Sequence, residues 1–164
     1  MSNISLNQGI RLSLMIITLG ITSVINSVAN GQETPPIFGD ITINQKFSPD
    51  PLTVRGMSGG SVTGREVAGR AKTPTGPCTG FVDQTPAHTL HLTSGFEYLK
   101  LLIESPQDTT IMIKGPGGTW CNDDFEDKNP GMVGEWLPGI YEIWVGSYEK
   151  DKYFPYTLHI TEVQ

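Results

Sequence analysis

The sequence predicts an all-β protein, an antiparallel β-sandwich, on three observations. Its 19 glycines and 12 prolines are 31 of 164 residues, above the ordinary share of about 12% for the pair, so turns are frequent and long helices disfavoured. From Cys78 onward the apolar residues fall into short runs bounded by Pro, Gly, Asp or Asn. These lie too close together for crossover helices between strands. With 37% hydrophobic residues the chain can bury a core, which excludes wholesale disorder. A net charge of -6, from 11 basic and 17 acidic residues, argues against nucleic acid as partner, because a phosphate backbone demands a clustered positive surface.

Residues 1–29 read as a cleaved signal peptide. They hold no acidic residue and one cation, Arg11, before an apolar run from Leu12 to Ile25. Thr18, Gly20, Thr22 and Ser23 interrupt that run, leaving it short of the roughly 20 apolar residues a spanning helix needs. Ser27 and Ala29 offer the small side chains for cleavage after Ala29, and Gly31 offers a second position. An uncleaved membrane anchor is the competing reading. Beyond residue 29 remain 10 basic and 17 acidic residues, a net charge of about -7. The mature chain is expected to be acidic, secreted or periplasmic, and without a membrane span.

Residues 30–40, with Pro35 and Pro36, are expected to be a linker, and residues 41–164 a single domain. Ile41 and Ile43 alternate with Thr42 and Asn44 as a first strand. Pro49 and Pro51 exclude the next segment from a central strand, and Gly56, Gly59, Gly60 and Gly64 among serines mark loop or edge. Strands follow over 81–82, 89–93, 96–104, 110–114, 132–136, 140–146 and 156–163. Side-chain alternation points Tyr141, Ile143 and Val145 inward and Glu142, Trp144 and Gly146 to the other face. In the last strand Tyr156, Leu158 and Ile160 face the core. No internal repeat is evident.

Cys78 and Cys121 lie 43 positions apart in a chain bound for an oxidising space, and such a pair reads as a disulfide. Neither thiol has the Cys or His neighbours that would complete a zinc site.

From Asp108 to Tyr148 the chain carries Asp-Thr-Thr-Ile-Met-Ile-Lys-Gly-Pro-Gly-Gly-Thr-Trp-Cys-Asn-Asp-Asp, then Leu137-Pro-Gly-Ile-Tyr141-Glu-Ile-Trp-Val-Gly-Ser-Tyr148. This string resembles the bacterial pre-peptidase C-terminal domain, and the match runs over roughly residues 88–164. The resemblance implies a jelly-roll-like sandwich, usually appended to secreted proteases and itself without chemistry. No protease domain is read in this chain, so it is expected to be a stand-alone variant.

Asn122, Asp123, Asp124, Glu126 and Asp127 concentrate carboxylates and an amide in a loop. Two readings fit them. Calcium takes 6 to 8 oxygen ligands that a loop can wrap around one ion; alternatively the segment is a solvated turn in which Asn122 and Asp124 cap backbone amides. Asp108 is read as a cap before its strand. The run Ser58-Gly-Gly-Ser61 lacks the preceding Asp and the His-Asp-Ser order of chymotrypsin-like proteases, and no nucleophile elbow is readable, so the chain is read as not an enzyme. His88 and His91, three apart on a strand, face opposite ways, cannot share a metal, and read as surface or loop-packing residues. Tyr141, Tyr156 and Trp136 are expected in the core. Trp144 and Trp120 are the candidate ligand-binding aromatics, with two rival readings: Trp144 lies under a cover from residues 47–60, or Trp120 covers the disulfide.

The function expected is a non-catalytic module binding an extracellular polysaccharide or protein. The alternatives are a calcium-stabilised structural module and an accessory domain acting with a separate secreted protease.

Overall fold

The computed structural model describes residues 39–163; the expected signal peptide, its cleavage sites and most of the linker lie outside them. In chain order the elements are β1 (Gly39–Ile43), β2 (Leu52–Ser58), β3 (Val62–Thr63), α1 (Gly64–Ala68), β4 (Lys72–Thr73), β5 (Gly76–Pro77) and β6 (Phe81–Val82). There follow β7 (His88–Leu92), β8 (Phe96–Glu104), β9 (Thr109–Gly115), β10 (Gly118–Asn122), β11 (Gly131–Trp136), β12 (Gly139–Ser147) and β13 (Phe154–Thr161).

One sheet runs β1-β7-β12-β9-β10, with β6 and β3 continuing from the end of β12; the other runs β11-β8-β13-β2. The all-β sandwich read from the sequence is present. All pairings are antiparallel except β1 with β7, which is parallel. That exception follows from chain path, since the Pro-rich segment carries the chain from β1 to the edge of the opposite sheet before β7 returns. Pro49 and Pro51 precede β2, which is an edge strand paired only with β13; a proline-rich approach is tolerated there because no ladder is interrupted.

Alternation builds the main core. Leu90, Leu92, Ile111, Ile113, Tyr141 and Ile143 from the first sheet meet Leu99, Leu101, Ile103, Leu158 and Ile160 from the second, each nearly or fully buried. Phe96 and Leu99 both face this core although they differ in parity. Between the pairs Gly134↔Leu99 and Trp136↔Phe96, β8 advances three residues while β11 advances two, and such a bulge resets the alternation.

A second, smaller core lies on the outer face of β9, β10 and β12, where Met112, Cys121 and Trp144 pack with Ala68, Cys78 and Val82. The chain between β2 and β7 forms this lid. Thr63 caps α1 by accepting from Glu66 N at 3.3 Å, and Gly69 ends it at φ 71°, a left-handed position that suits glycine. The disulfide Cys78–Cys121 pins the lid to β10, as the sequence predicted. The helix and the β4–β5 hairpin were not legible in the Gly-rich segment.

Candidate functional site

Where the two sheets end side by side, β10 is the edge of one and β11 the edge of the other. Their backbones are capped at one end of this seam. Thr73 Oγ1 accepts from Cys121 N at 3.0 Å, and Thr75 Oγ1 donates to Cys121 O at 2.9 Å. Asn122 spans the gap: its Oδ1 accepts from Gly131 N at 3.0 Å, and its Nδ2 donates to Thr75 O at 3.1 Å. Cys121 and Gly131 therefore turn their backbone groups away from their ladders. Antiparallel pairs alternate along a strand, so Thr119 on β10 and Val133 on β11 do the same. The Pro130 carbonyl, which accepts from Ile103 N at 2.9 Å, sets the same phase for β11.

Beyond the caps the seam opens into a cleft of about 200 Å³ between Trp120, Trp136 and Tyr141, with Val133, Glu135 and Leu137 at its rim. Tyr141 and Trp136 ring centroids lie 4.9 Å apart at 61°, and Trp120 and Tyr141 lie 6.4 Å apart. The polar tips are already used: Trp136 Nε1 donates to Leu99 O and Tyr141 OH to Leu137 O, both at 2.9 Å. Burial pushes the Tyr141 hydroxyl up from its ordinary pKa, against the smaller downward pull of the Leu137 hydrogen bond. The Trp136 and Tyr141 rings are thus fixed and uncharged. Gly115 makes room for this arrangement, since a Cβ there would collide with the Tyr141 ring. Leu137 remains 60% exposed and Val133 41%. Glu135 also borders a shallower depression on the other side of Trp136, where Glu97 sits; neither depression is lined by a cation.

The candidate aromatics separate. Trp120 is half-buried and lines the cleft. It does not cover the disulfide, because neighbours on a strand face opposite ways: Trp120 packs on the main core while Cys121 belongs to the second. Trp144 does point to the outer face but is 4% exposed, so it cannot offer its ring to an external ligand. Its cover is the lid of Val67, Ala68, Cys78 and Val82, not residues 47–60; Phe47 instead packs on the main core against Phe96. Lys114 Nζ lies 5.6 Å from the Trp144 ring centroid.

The acidic loop is dispersed. Asp123 Oδ2 accepts from Tyr148 OH at 2.9 Å and Thr79 Oγ1 at 3.5 Å. Burial first, then this bond to Asp123, pushes the Tyr148 hydroxyl up to about 12. Glu126 pairs with Lys100 at 3.3 Å, and Asp127 sits at the turn with φ 54°. Asn122 is committed to the strand caps. Asp124 instead acts on Asp108: burial, Asp124 and Asp123 all raise the Asp108 pKa, while Lys128 lowers it. Among the described residues no three His, Cys, Asp or Glu side chains form a group suited to a metal.

The histidines are also apart. His88 is not at the surface: it is 1% exposed, with Nε2 2.7 Å from Tyr156 OH. His91 is exposed, and His159 pairs with Glu104 at 3.1 Å. Ser58 is fully buried.

No family model matches the chain. It is 29% identical over 127 residues to an uncharacterized protein of Synechococcus elongatus, covering 75% of this chain and 82% of that one. Among solved structures it is similar to the pre-peptidase C-terminal domain of the Bacillus anthracis collagenase. The TM-score is 0.43 at 11% identity, over 74% of this chain and 94% of that domain.

The cleft itself was hidden from sequence reading. Its walls come from residues far apart in the chain, and β10, its floor on one side, is too short and interrupted to stand out by alternation.

Proposed function

We propose that this chain is an exported, non-catalytic β-sandwich module that binds an extracellular polysaccharide or protein through the cleft at Trp120. The observation that carries the reading is a cleft between two strand edges in which the half-buried Trp120 ring lies beside the buried Trp136 and Tyr141 rings. Concave, mostly apolar sites with a few polar groups at the rim are where ligands are held. The leader pattern and the disulfide support export. Among the described residues no helix is long and apolar enough to cross a membrane. Ser58 is fully buried and its Oγ has no hydrogen-bond partner among the described residues, so it lacks the adjacent base that nucleophilic catalysis needs, which supports a role without covalent chemistry. The test is retention of the wild-type protein and Trp120→Ala on peptidoglycan, chitin, cellulose and gelatin. Retention on one of these that Trp120→Ala removes is the expected result; equal retention of both proteins, or none on any support, refutes the site.

A second reading keeps the acidic loop from Asn122 to Asp127 as a place where calcium would act as a stabilising ion. Melting with calcium and with chelator tests it; coincident curves end it.

A further inference from the structure

The cleft has a feature that rings alone do not require: it is bordered by a strand edge whose ladder groups face outward. β11 pairs with β8 alone, and its edge is capped at Gly131 by Asn122 but continues open at Val133. On that side the Val133 N–H donates to no other described residue and its C=O accepts from none, the phase being set by Gly131 N on Asn122 and Pro130 O on Ile103 N. An edge of this kind is a template for another extended chain. Next along β11, Gly134 has nothing within 4 Å of the position a Cβ would take, so the space above the inward-facing backbone is open toward the aromatic rings. Glu135 then turns to the rim, and Glu97 lies beyond it with no cation between.

We propose that the free edge of β11 at Val133–Glu135 takes an extended segment of a partner protein as an added strand, with an apolar side chain in the Trp120–Trp136–Tyr141 cleft and an adjacent Lys or Arg against Glu135. This rests on the cleft reading above and narrows its ligand to protein. Backbone pairing supplies affinity in strand addition, and pockets for alternate side chains supply selectivity. Cross-strand neighbours share a face. The partner residue opposite Gly134 therefore points inward to the rings, and the one opposite Glu135 points outward to the carboxylate. The predicted ligand motif is an apolar residue beside a basic one in an extended segment free of proline at the pairing positions. The acidic rim selects for the basic residue by charge complementarity and would repel an acidic one.

The probe is a displayed library of short random peptides selected on the intact, oxidised protein, followed by titration of the synthetic consensus peptide. The expected consensus joins an aromatic or aliphatic residue to a neighbouring Lys or Arg. Val133→Pro removes the outward N–H without touching the β8 ladder, a substitution that edge strands tolerate. It should weaken the peptide about tenfold or more, the scale of one lost backbone hydrogen bond, with melting nearly unchanged. N-methylation of the peptide at the amide opposite Val133 should do the same without altering the protein, which keeps the test decisive if Val133→Pro lowers stability. Glu135→Lys should reverse the preference to acidic peptides. Failure to enrich any peptide, or peptides whose binding ignores both Val133→Pro and N-methylation, overturns strand addition. Polysaccharide retention that depends on Trp120, in the absence of peptide enrichment, leaves the cleft standing and removes only this inference. Loss of any Trp120 effect removes both.

Discussion

Lowering the pH should destabilise the fold through a single buried imidazole. His88 is 1% exposed, and burial pushes its pKa down from 6.5 to about 4, the hydrogen bond with Gly39 opposing only in part. With Nε2 2.7 Å from Tyr156 OH, the neutral ring accepts from the tyrosine hydroxyl. The Tyr156 hydroxyl is itself held neutral by burial, its pKa pushed far above the ordinary value. The unfolded chain therefore takes up the proton first. Stability contributed by neutral His88 is complete above about pH 6.5, falls as the pH drops from there toward 4, and is lost below it. At about 1.36 kcal/mol per pH unit, the interval between 6.5 and about 4 corresponds to about 3 kcal/mol. That is a large share of a typical domain stability of about 5–15 kcal/mol. The assay is urea unfolding at a series of pH values, followed by tryptophan fluorescence, for wild type and His88→Gln. Carboxylates titrate in both proteins, so the difference between the two curves isolates the imidazole. Wild type should lose about 3 kcal/mol more than the variant between pH 7 and pH 4. Parallel curves, or an NMR titration of His88 near 6.5, would refute the reasoning.

Trp144→Ala should cost about 3–5 kcal/mol, the range for deleting a buried aromatic, read by the same unfolding assay. Trp144→Phe should cost clearly less, because Trp144 Nε1 is a buried donor with no partner among the described residues and its loss relieves the penalty of an unmet hydrogen bond. Reducing Cys78–Cys121 should add two hydrogens to the intact mass. Cys78→Ala should lower stability by about 2–4 kcal/mol, and limited proteolysis should then cut first in the lid between β2 and β6. Gly115→Ala should destabilise by about 1–3 kcal/mol through overpacking against Tyr141 and shift the fluorescence of Trp120; an unchanged spectrum and midpoint would count against the packing described. Asp108→Asn should stabilise slightly, since burial first and then the repulsion from Asp124 and Asp123 disfavour the charged carboxylate; the gain should shrink but not vanish at high salt, and no gain at low salt would refute it.

Much of the sandwich is legible in the chain because burial on one face of a strand imposes a period of two. The run from Phe96 to Glu104 reads as one strand and is one, and Tyr141, Ile143 and Val145 face the main core as their parity requires. The disulfide is readable from two cysteines and a leader, through compartment chemistry alone. Parity also places Trp144 on the outer face, but it carries no information about what lies beyond that face. Only the folded lid decides that Trp144 is core, and only the stacking of the two sheets decides that His88 is paired to Tyr156 across the sandwich. The parallel pairing of β1 with β7 depends likewise on chain path between sheets. The cleft lies furthest from sequence reading, because it exists where two edges meet: Trp120 on β10 and Trp136 on β11 become neighbours of Tyr141 through packing that no local period encodes. Local alternation determined which side chains turn inward; which strands end beside each other, and so which aromatics and backbone groups stay open to a partner, was decided by the long-range closure of the two sheets.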